Sequence, residues 1–157
     1  EAAQQYAKSS GQQGFSANQV MWSYPVFDMT KSAVSGLVWL DHDGRQYHKD
    51  QQLAVVAYQS QARGFFTKYA ENGRATVPEA LWNQYGSPEN LLRYERVTLL
   101  AEDLHVSLNA VALAYVINQS FPSFAIVGSH TLAQLKDSMT AGDLILTPEQ
   151  IDFLERG

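Results

Sequence analysis

Tyr58-Gln59-Ser60-Gln61-Ala62-Arg63-Gly64, followed by Phe65-Phe66, comes directly after an apolar run and brings an aromatic ring, hydrogen-bonding side chains, a cation and a glycine together. That mixture suits a flat aromatic ligand stacked on Tyr58 and an anionic phosphate near Arg63 and the neighbouring backbone N–H groups. The same spacing also describes a polar loop in which Tyr58 closes over the core. A second candidate is Gly128-Ser129-His130-Thr131, which joins the run Phe124 to Val127 to a helix carrying Leu132, Leu135 and Met139. A glycine lets a phosphate approach, and the free N–H groups and dipole of a helix start attract it. Such turns also occur without a ligand, and no GxGxxG fingerprint is present.

The four histidines offer less. Asp41-His42-Asp43-Gly44 has metal-ligand residue types, but they are sequence neighbours with no supporting second strand, which reads as a solvated turn. His48 follows Tyr47 in a loop, His105 lies at a corner between helices, and His130 belongs to the candidate phosphate turn. Neither a Ser-His-Asp spacing nor a nucleophile elbow is readable. Trp22 ends a strand, where it is placed to line a pocket, whereas Trp39, beside Leu37, Val38 and Leu40, reads as helix core.

The elements that position these groups follow from hydrophobic periodicity. Asn18 to Trp22, Leu53 to Tyr58 and Phe124 to Val127 are continuous apolar, β-branched or aromatic runs, which predicts parallel strands buried on both faces. Ala110, Leu113, Ala114 and Ile117 repeat at helical spacing after a capping Ser107, and Val97, Leu100, Ala101 and Leu104 do so after Ser87-Pro88. Thr147-Pro148-Glu149-Gln150 is a capping box ahead of Ile151, Phe153 and Leu154. Strands alternating with helices predict right-handed βαβ crossovers, the unit of α/β sheets and barrels. Asp28 to Gln52 and Thr67 to Ser87 read as long connections after strand ends, where α/β folds place ligands, and as the most mobile parts.

With 157 residues, 45% of them hydrophobic, the chain has the size and apolar content of one globular domain. A net charge of -5 with no dense basic block argues against nucleic acid. The longest apolar run, Ala110 to Ile117, is less than half of the roughly 20 residues a membrane span needs. Without cysteine there is no disulfide framework or Cys-based metal site, and EAAQQYAK lacks the apolar core of a secretory signal; the expected address is cytoplasmic. Glu1 opens directly on an apolar helical face of Ala2, Ala3, Tyr6 and Ala7, and three strands are few for a whole α/β sheet. More sheet is expected upstream.

Three segments together resemble a known family. ANQVMWS at 17–23, LAVVAYQSQARGFF at 53–66, and SLNAVALAYVINQSFPSFAIVGSHTLAQLKDSM at 107–139 followed by LTPEQIDFL at 146–154 look like the C-terminal part of an aldo-keto reductase. The resemblance implies an α/β fold, strands six to eight of a (β/α)8 TIM barrel, so that residues 1–157 form an incomplete domain of a NADP-dependent oxidoreductase. It implies reduction of small aldehydes or ketones with NADP(H) or NAD(H) and without a metal. A non-catalytic cofactor-sensing or binding subunit of the same fold is the alternative.

By the same resemblance Gln19 falls where the nicotinamide carboxamide is held, and Tyr58 where an aromatic stacks on the nicotinamide ring. Gln59, Ser60, Gln61 and Arg63 lie in the loop over the pyrophosphate. Gly128, Ser129, His130 and Thr131 match the turn around the adenosine ribose and its 2′-phosphate, with Gln134, Asp137 and Ser138 near that phosphate and the adenine. This chain departs from the pattern in three places: Gln59 replaces the usual Ser, Gln134 stands where many members carry Arg, and Gly128 where a Lys is common. The charge available to a 2′-phosphate is therefore thin, which leaves NADP and NAD both open.

The family's catalytic Asp, Tyr, Lys and His lie on the second to fourth strands, so the resemblance implies no catalytic residue on this chain. The isolated chain is then expected to be inactive, and either to pair with a missing N-terminal half or to self-associate.

Overall fold

Three strands pair side by side in parallel and in chain order: β1 (Ala17–Met21), β2 (Ala54–Tyr58) and β3 (Ser123–Ala125). This order, in a computed structural model that describes residues 1–156, is the one the sequence predicts. Parallel neighbours need a crossover, and helices supply it. Helix α1 (Ala2–Ser9) precedes the sheet, and α2 (His42–Gln51) joins β1 to β2. Between β2 and β3 run α3 (Phe65–Asn72), α4 (Glu79–Tyr85), α5 (Pro88–Leu104) and α6 (Leu108–Ile117). Helices α7 (Leu132–Asp143) and α8 (Pro148–Arg156) complete the chain. No single helix among the described residues is long and apolar enough to cross a membrane.

The helix starts follow from their caps. Ser87 Oγ accepts from Asn90 N at 3.1 Å, and Ser107 Oγ accepts from Ala110 N at 3.0 Å. At α8 the box is reciprocal, Thr147 N donating to Gln150 Oε1 at 2.9 Å and Gln150 N to Thr147 Oγ1 at 3.3 Å. Helix α5 stops where His105 turns left-handed at φ 54.

One face of the sheet carries Val20, Val55 and Ala57, and α6 lies against it with every residue from Ala110 to Val116 buried. A helix apolar all round belongs inside a core, and each fully buried Val, Leu or Phe contributes roughly 1.5–3 kcal/mol. Trp22 belongs to this core and not to the wall of the cleft described below: it is 3% exposed and packs edge-on against Tyr115 with centroids 5.9 Å apart.

The expectation of strands buried on both faces is corrected. Register and two-residue alternation put Gln19, Met21, Val56, Tyr58 and Phe124 on the opposite face, where Met21 is buried but Gln19 is exposed and Phe124 is 57% exposed. The helices cover one side only. Leu132, Leu135 and Met139 of α7 also point outward, and the helix buries Ser138 and Ala141 instead.

The two long loops are corrected as well. Asp28 to Gln52 contains a 3-10 turn at Met29–Lys31 and all of α2, and Thr67 to Ser87 contains most of α3 and all of α4. Asp41-His42-Asp43-Gly44 is a helix start, with Asp41 Oδ1 accepting from Gly44 N at 2.8 Å. His48 is buried on α2 rather than in a loop. Trp39 sits in an extended bridge to Met21, with Leu40 N donating to Met21 O at 3.1 Å, and not in a helix.

Candidate functional site

After Tyr58 the backbone turns sharply. Gln59, Ala62, Arg63 and Gly64 all have left-handed φ, at 57, 47, 55 and 74°. For the three non-glycine residues this conformation costs about 1–2 kcal/mol each, so the surroundings must impose it. They do so through burial: Ala62 and Ser60 are fully enclosed, Ser60 Oγ donates to Ile126 O at 2.6 Å, and Phe65 and Phe66 anchor the start of α3. Arg63 is left exposed, its guanidinium donating to Gln84 Oε1 at 3.3 Å, while Lys68 Nζ donates to Arg63 O at 2.9 Å.

Across from this loop, the segment after β3 leads into α7. Thr131 caps the helix, its Oγ1 accepting from Gln134 N at 3.2 Å, and Gln134 Oε1 accepts in return from His130 N at 2.8 Å. Gly128 has open space where a Cβ would stand, so its backbone is approachable. Ser129 Oγ is enclosed with no hydrogen-bond partner.

Between the two segments, at the C-terminal edge of the sheet, lies a cleft of about 680 Å³. Gln59, Ser60, Gln61, Arg63, Gly128, Ser129, His130, Gln134 and Asp137 line it. Thr131 and Ser138 stand just behind, bonded to the lining through Gln134 N and through Gln61 Nε2 at 3.0 Å. Gln19 and Tyr58 do not line the cleft; they share the open sheet face on adjacent strands, in register with Val56 and Met21.

Sequence reasoning missed part of the wall. Gly64, Lys68 and Glu71 line the cleft at i, i+4 and i+7, a helical face that was legible once α3 was recognised as a helix. Asn109 carries no local signal. Its amide accepts from Gln61 Nε2 at 3.1 Å and donates to Asp137 Oδ2 at 2.7 Å, a meeting that only the tertiary fold creates.

The arrangement suits binding. Arg63 and Lys68 supply two positive charges on one wall against the single carboxylate of Glu71, and Asp137, Ser129 and Gln134 supply hydrogen-bonding groups on the other. The buried tyrosines belong to the core: Tyr24 OH donates to Leu154 O at 2.8 Å, and burial pushes the phenols of Tyr24, Tyr85 and Tyr115 above their ordinary range. His48 is also structural, its Nδ1 lying 2.8 Å from Leu53 O and its Nε2 3.4 Å from Asn18 Nδ2. Because the Asn18 amide nitrogen donates, Nε2 accepts and Nδ1–H donates to the carbonyl.

The model of the aldo/keto reductase family matches residues 5–156. A putative aryl-alcohol dehydrogenase of Saccharomyces cerevisiae is 29% identical over 160 residues, covering 98% of this chain and 40% of that protein. A second from the same yeast is 28% identical over 98% of this chain and 52% of its own length. The chain thus spans about half the length of these curated relatives, or less. Among solved structures, a thermostable aldo-keto reductase in complex with the inhibitor epalrestat is similar with a TM-score of 0.57 at 16% identity, over 96% of this chain and 43% of that one, a likeness of fold.

Proposed function

The chain belongs to the aldo/keto reductase family, and from that membership we propose that its cleft binds a nicotinamide dinucleotide for oxidoreduction of a small carbonyl compound. The single observation that carries the proposal is the meeting of the Gln59–Gly64 turn and the Gly128–Asp137 segment around one cleft, although they lie more than sixty positions apart. The residues present fit such a group. Arg63 and Lys68 would neutralise a diphosphate, Gly128 leaves room for close approach, and the enclosed Ser129 hydroxyl has no partner within the protein. Gln19 and Tyr58 would hold the nicotinamide on the open face of the sheet, one by its carboxamide and the other by ring contact. When bound, the nicotinamide supplies the hydride.

On this reading the 157 residues are the C-terminal part of a barrel, strands six to eight, and contribute its cofactor side. The proton donor comes from outside them. NADP(H) and NAD(H) are both accommodated, since the α7 wall offers Gln134 and Asp137 rather than a cation.

Titration calorimetry of the chain with NADPH and NADH tests the binding role, and oxidation of either by the full-length protein with a panel of aldehydes tests the reaction. Binding by the chain without turnover, and turnover by the full-length protein, are the expected results. A full-length protein that binds cofactor and reduces nothing makes this a non-catalytic cofactor sensor; a chain that binds neither dinucleotide overturns the proposal.

A further inference from the structure

We infer that Asn109, in the first turn of α6, is a positioning residue that sets the nucleoside end of the cleft by holding Gln61 and Asp137 at once. The inference rests on the cofactor reading above and adds to it a residue of the cleft wall whose own amide is taken up by Gln61 and Asp137. The ends of the cleft differ in charge. A diphosphate belongs beside Arg63 and Lys68, and with the nicotinamide directed to Gln19 and Tyr58, the adenosine half falls to the Gly128–Asp137 wall.

That wall is held by one amide. Asn109 Oδ1 accepts from Gln61 Nε2 at 3.1 Å while its Nδ2 donates to Asp137 Oδ2 at 2.7 Å. A carboxylate in the same place accepts but cannot donate, and an alkyl group does neither. Gln61 in turn reaches Ser138 Oγ at 3.0 Å and receives Gly128 N at 3.4 Å, so the network ties the β2–α3 turn to α6, α7 and the Gly128 turn. Its anchor is rigid, because α6 from Ala110 onward is core. With one Asp137 oxygen engaged by Asn109, the carboxylate has a fixed orientation in the cleft wall. Groups locked by a rigid element present a preformed surface, whereas groups free to rotate must be ordered by the ligand.

The test titrates NADH, NADPH and ADP-ribose, which lacks the nicotinamide, into the chain and into four variants: Asn109→Ala, Gln61→Ala, the double variant and Asn109→Asp. Asn109→Ala is expected to weaken all three ligands by the same factor, about tenfold, as expected for loss of preorganising hydrogen bonds to a charged partner. The double variant Asn109→Ala/Gln61→Ala should lose no more than the worse single one, because coupled residues are not additive. Asn109→Asp keeps the shape but sets two carboxylates against each other. Its affinity relative to that of the unaltered chain should be lowest at pH 8 and rise as the pH falls and one carboxyl of the facing pair takes up a proton, a ratio from which the groups shared by both chains, His130 and Glu71 of the cleft among them, cancel.

That pH profile separates positioning from a general structural role, and it remains readable if Asn109→Ala fails to fold. Unchanged affinities in Asn109→Ala, additive losses in the double variant, or a flat profile in Asn109→Asp overturn the positioning role while leaving the cofactor reading intact. Failure of the unaltered chain to bind any dinucleotide removes both.

Discussion

Arg45 on α2 and Glu155 on α8 meet at 2.5 Å although 110 positions separate them, and the Tyr115 hydroxyl of α6 donates to the same Glu155 oxygen at 2.9 Å. Three helices are tied at one carboxylate. Partial burial alone would raise the Glu155 pKa, yet the Tyr115 hydroxyl and the Arg45 guanidinium hold it below the ordinary glutamate value of 4.5. The clasp fastens α8 to the helical layer, and Tyr24 adds a second link at Leu154 O.

Acid should open this clasp. A carboxyl with a lower pKa folded than unfolded binds fewer protons in the folded state, so its stabilisation is complete above the unfolded value. It is lost as the pH falls from 4.5 through the folded value. Urea denaturation of Glu155→Gln at pH 7 should show a loss of about 2 kcal/mol, typical of hydrogen bonds to a charged group. Its stability should then decline less between pH 5 and pH 3 than that of the unaltered chain. Equal acid slopes for the two proteins would show that Glu155 is not the titrating group.

Two glycines should separate fold from site. A Cβ on Gly86 would stand 2.4 Å from Cδ2 of the Trp82 ring and 2.7 Å from the Trp82 carbonyl oxygen, so Gly86→Ala should destabilise by roughly 1–3 kcal/mol through overpacking. A Cβ on Gly128 meets nothing within 4 Å, and Gly128→Ala should leave the thermal midpoint nearly unchanged. In the cofactor reading the added methyl stands where the ligand approaches, so dinucleotide affinity should drop severalfold. Thermal melts and calorimetric titration of both variants check the pair. A Gly128→Ala protein with full affinity would argue against a ligand at that turn.

Ser60 is the peg of the strained turn. Its enclosed hydroxyl donates to Ile126 O at 2.6 Å, joining the ends of β2 and β3 beside three left-handed non-glycine residues. Ser60→Ala leaves that carbonyl without this donor and should cost about 1–2 kcal/mol. Released from the peg, the turn should relax, and amide hydrogen exchange should quicken across residues 59–64 more than in α6. Uniform quickening over the whole chain would mean that Ser60 supports global stability alone.

The strands and capped helices were legible because their signals are local: continuous apolar runs, Ser87, Ser107 and the Thr147 box. Helix α2 was not, since HDGRQYHKDQ is polar at nearly every position and buries only His48. Its Asp41 cap therefore resembled a turn with metal-ligand residue types. Expecting both sheet faces to be buried failed for a different reason: an apolar run shows that a strand suits a core but not how many layers cover it. Most of the cleft wall could be listed from the resemblance, whereas Asn109 could not, because its partners Gln61 and Asp137 lie 48 and 28 positions away.

The open sheet face yields the last expectation. Val56 and Phe124 share one rung of it, flanked by Gln19 and Ile126, and the outward stripe Leu132, Leu135 and Met139 lies on α7. Phe124, Leu132 and Met139 are 57, 67 and 63% exposed, and β3 has no partner on its outer side among the described residues. An unpaired parallel edge beside exposed apolar side chains is a template for association, and each such side chain forgoes part of roughly 1.5–3 kcal/mol of burial. The chain by itself should therefore associate in sedimentation runs, with a weight-average mass that rises over the micromolar range. Phe124→Lys and Met139→Lys should each lower that mass, because a charge on the buried side of a contact must be desolvated without a partner. A sharp 17.5 kDa species at every concentration would show instead that this face is stable in water uncovered.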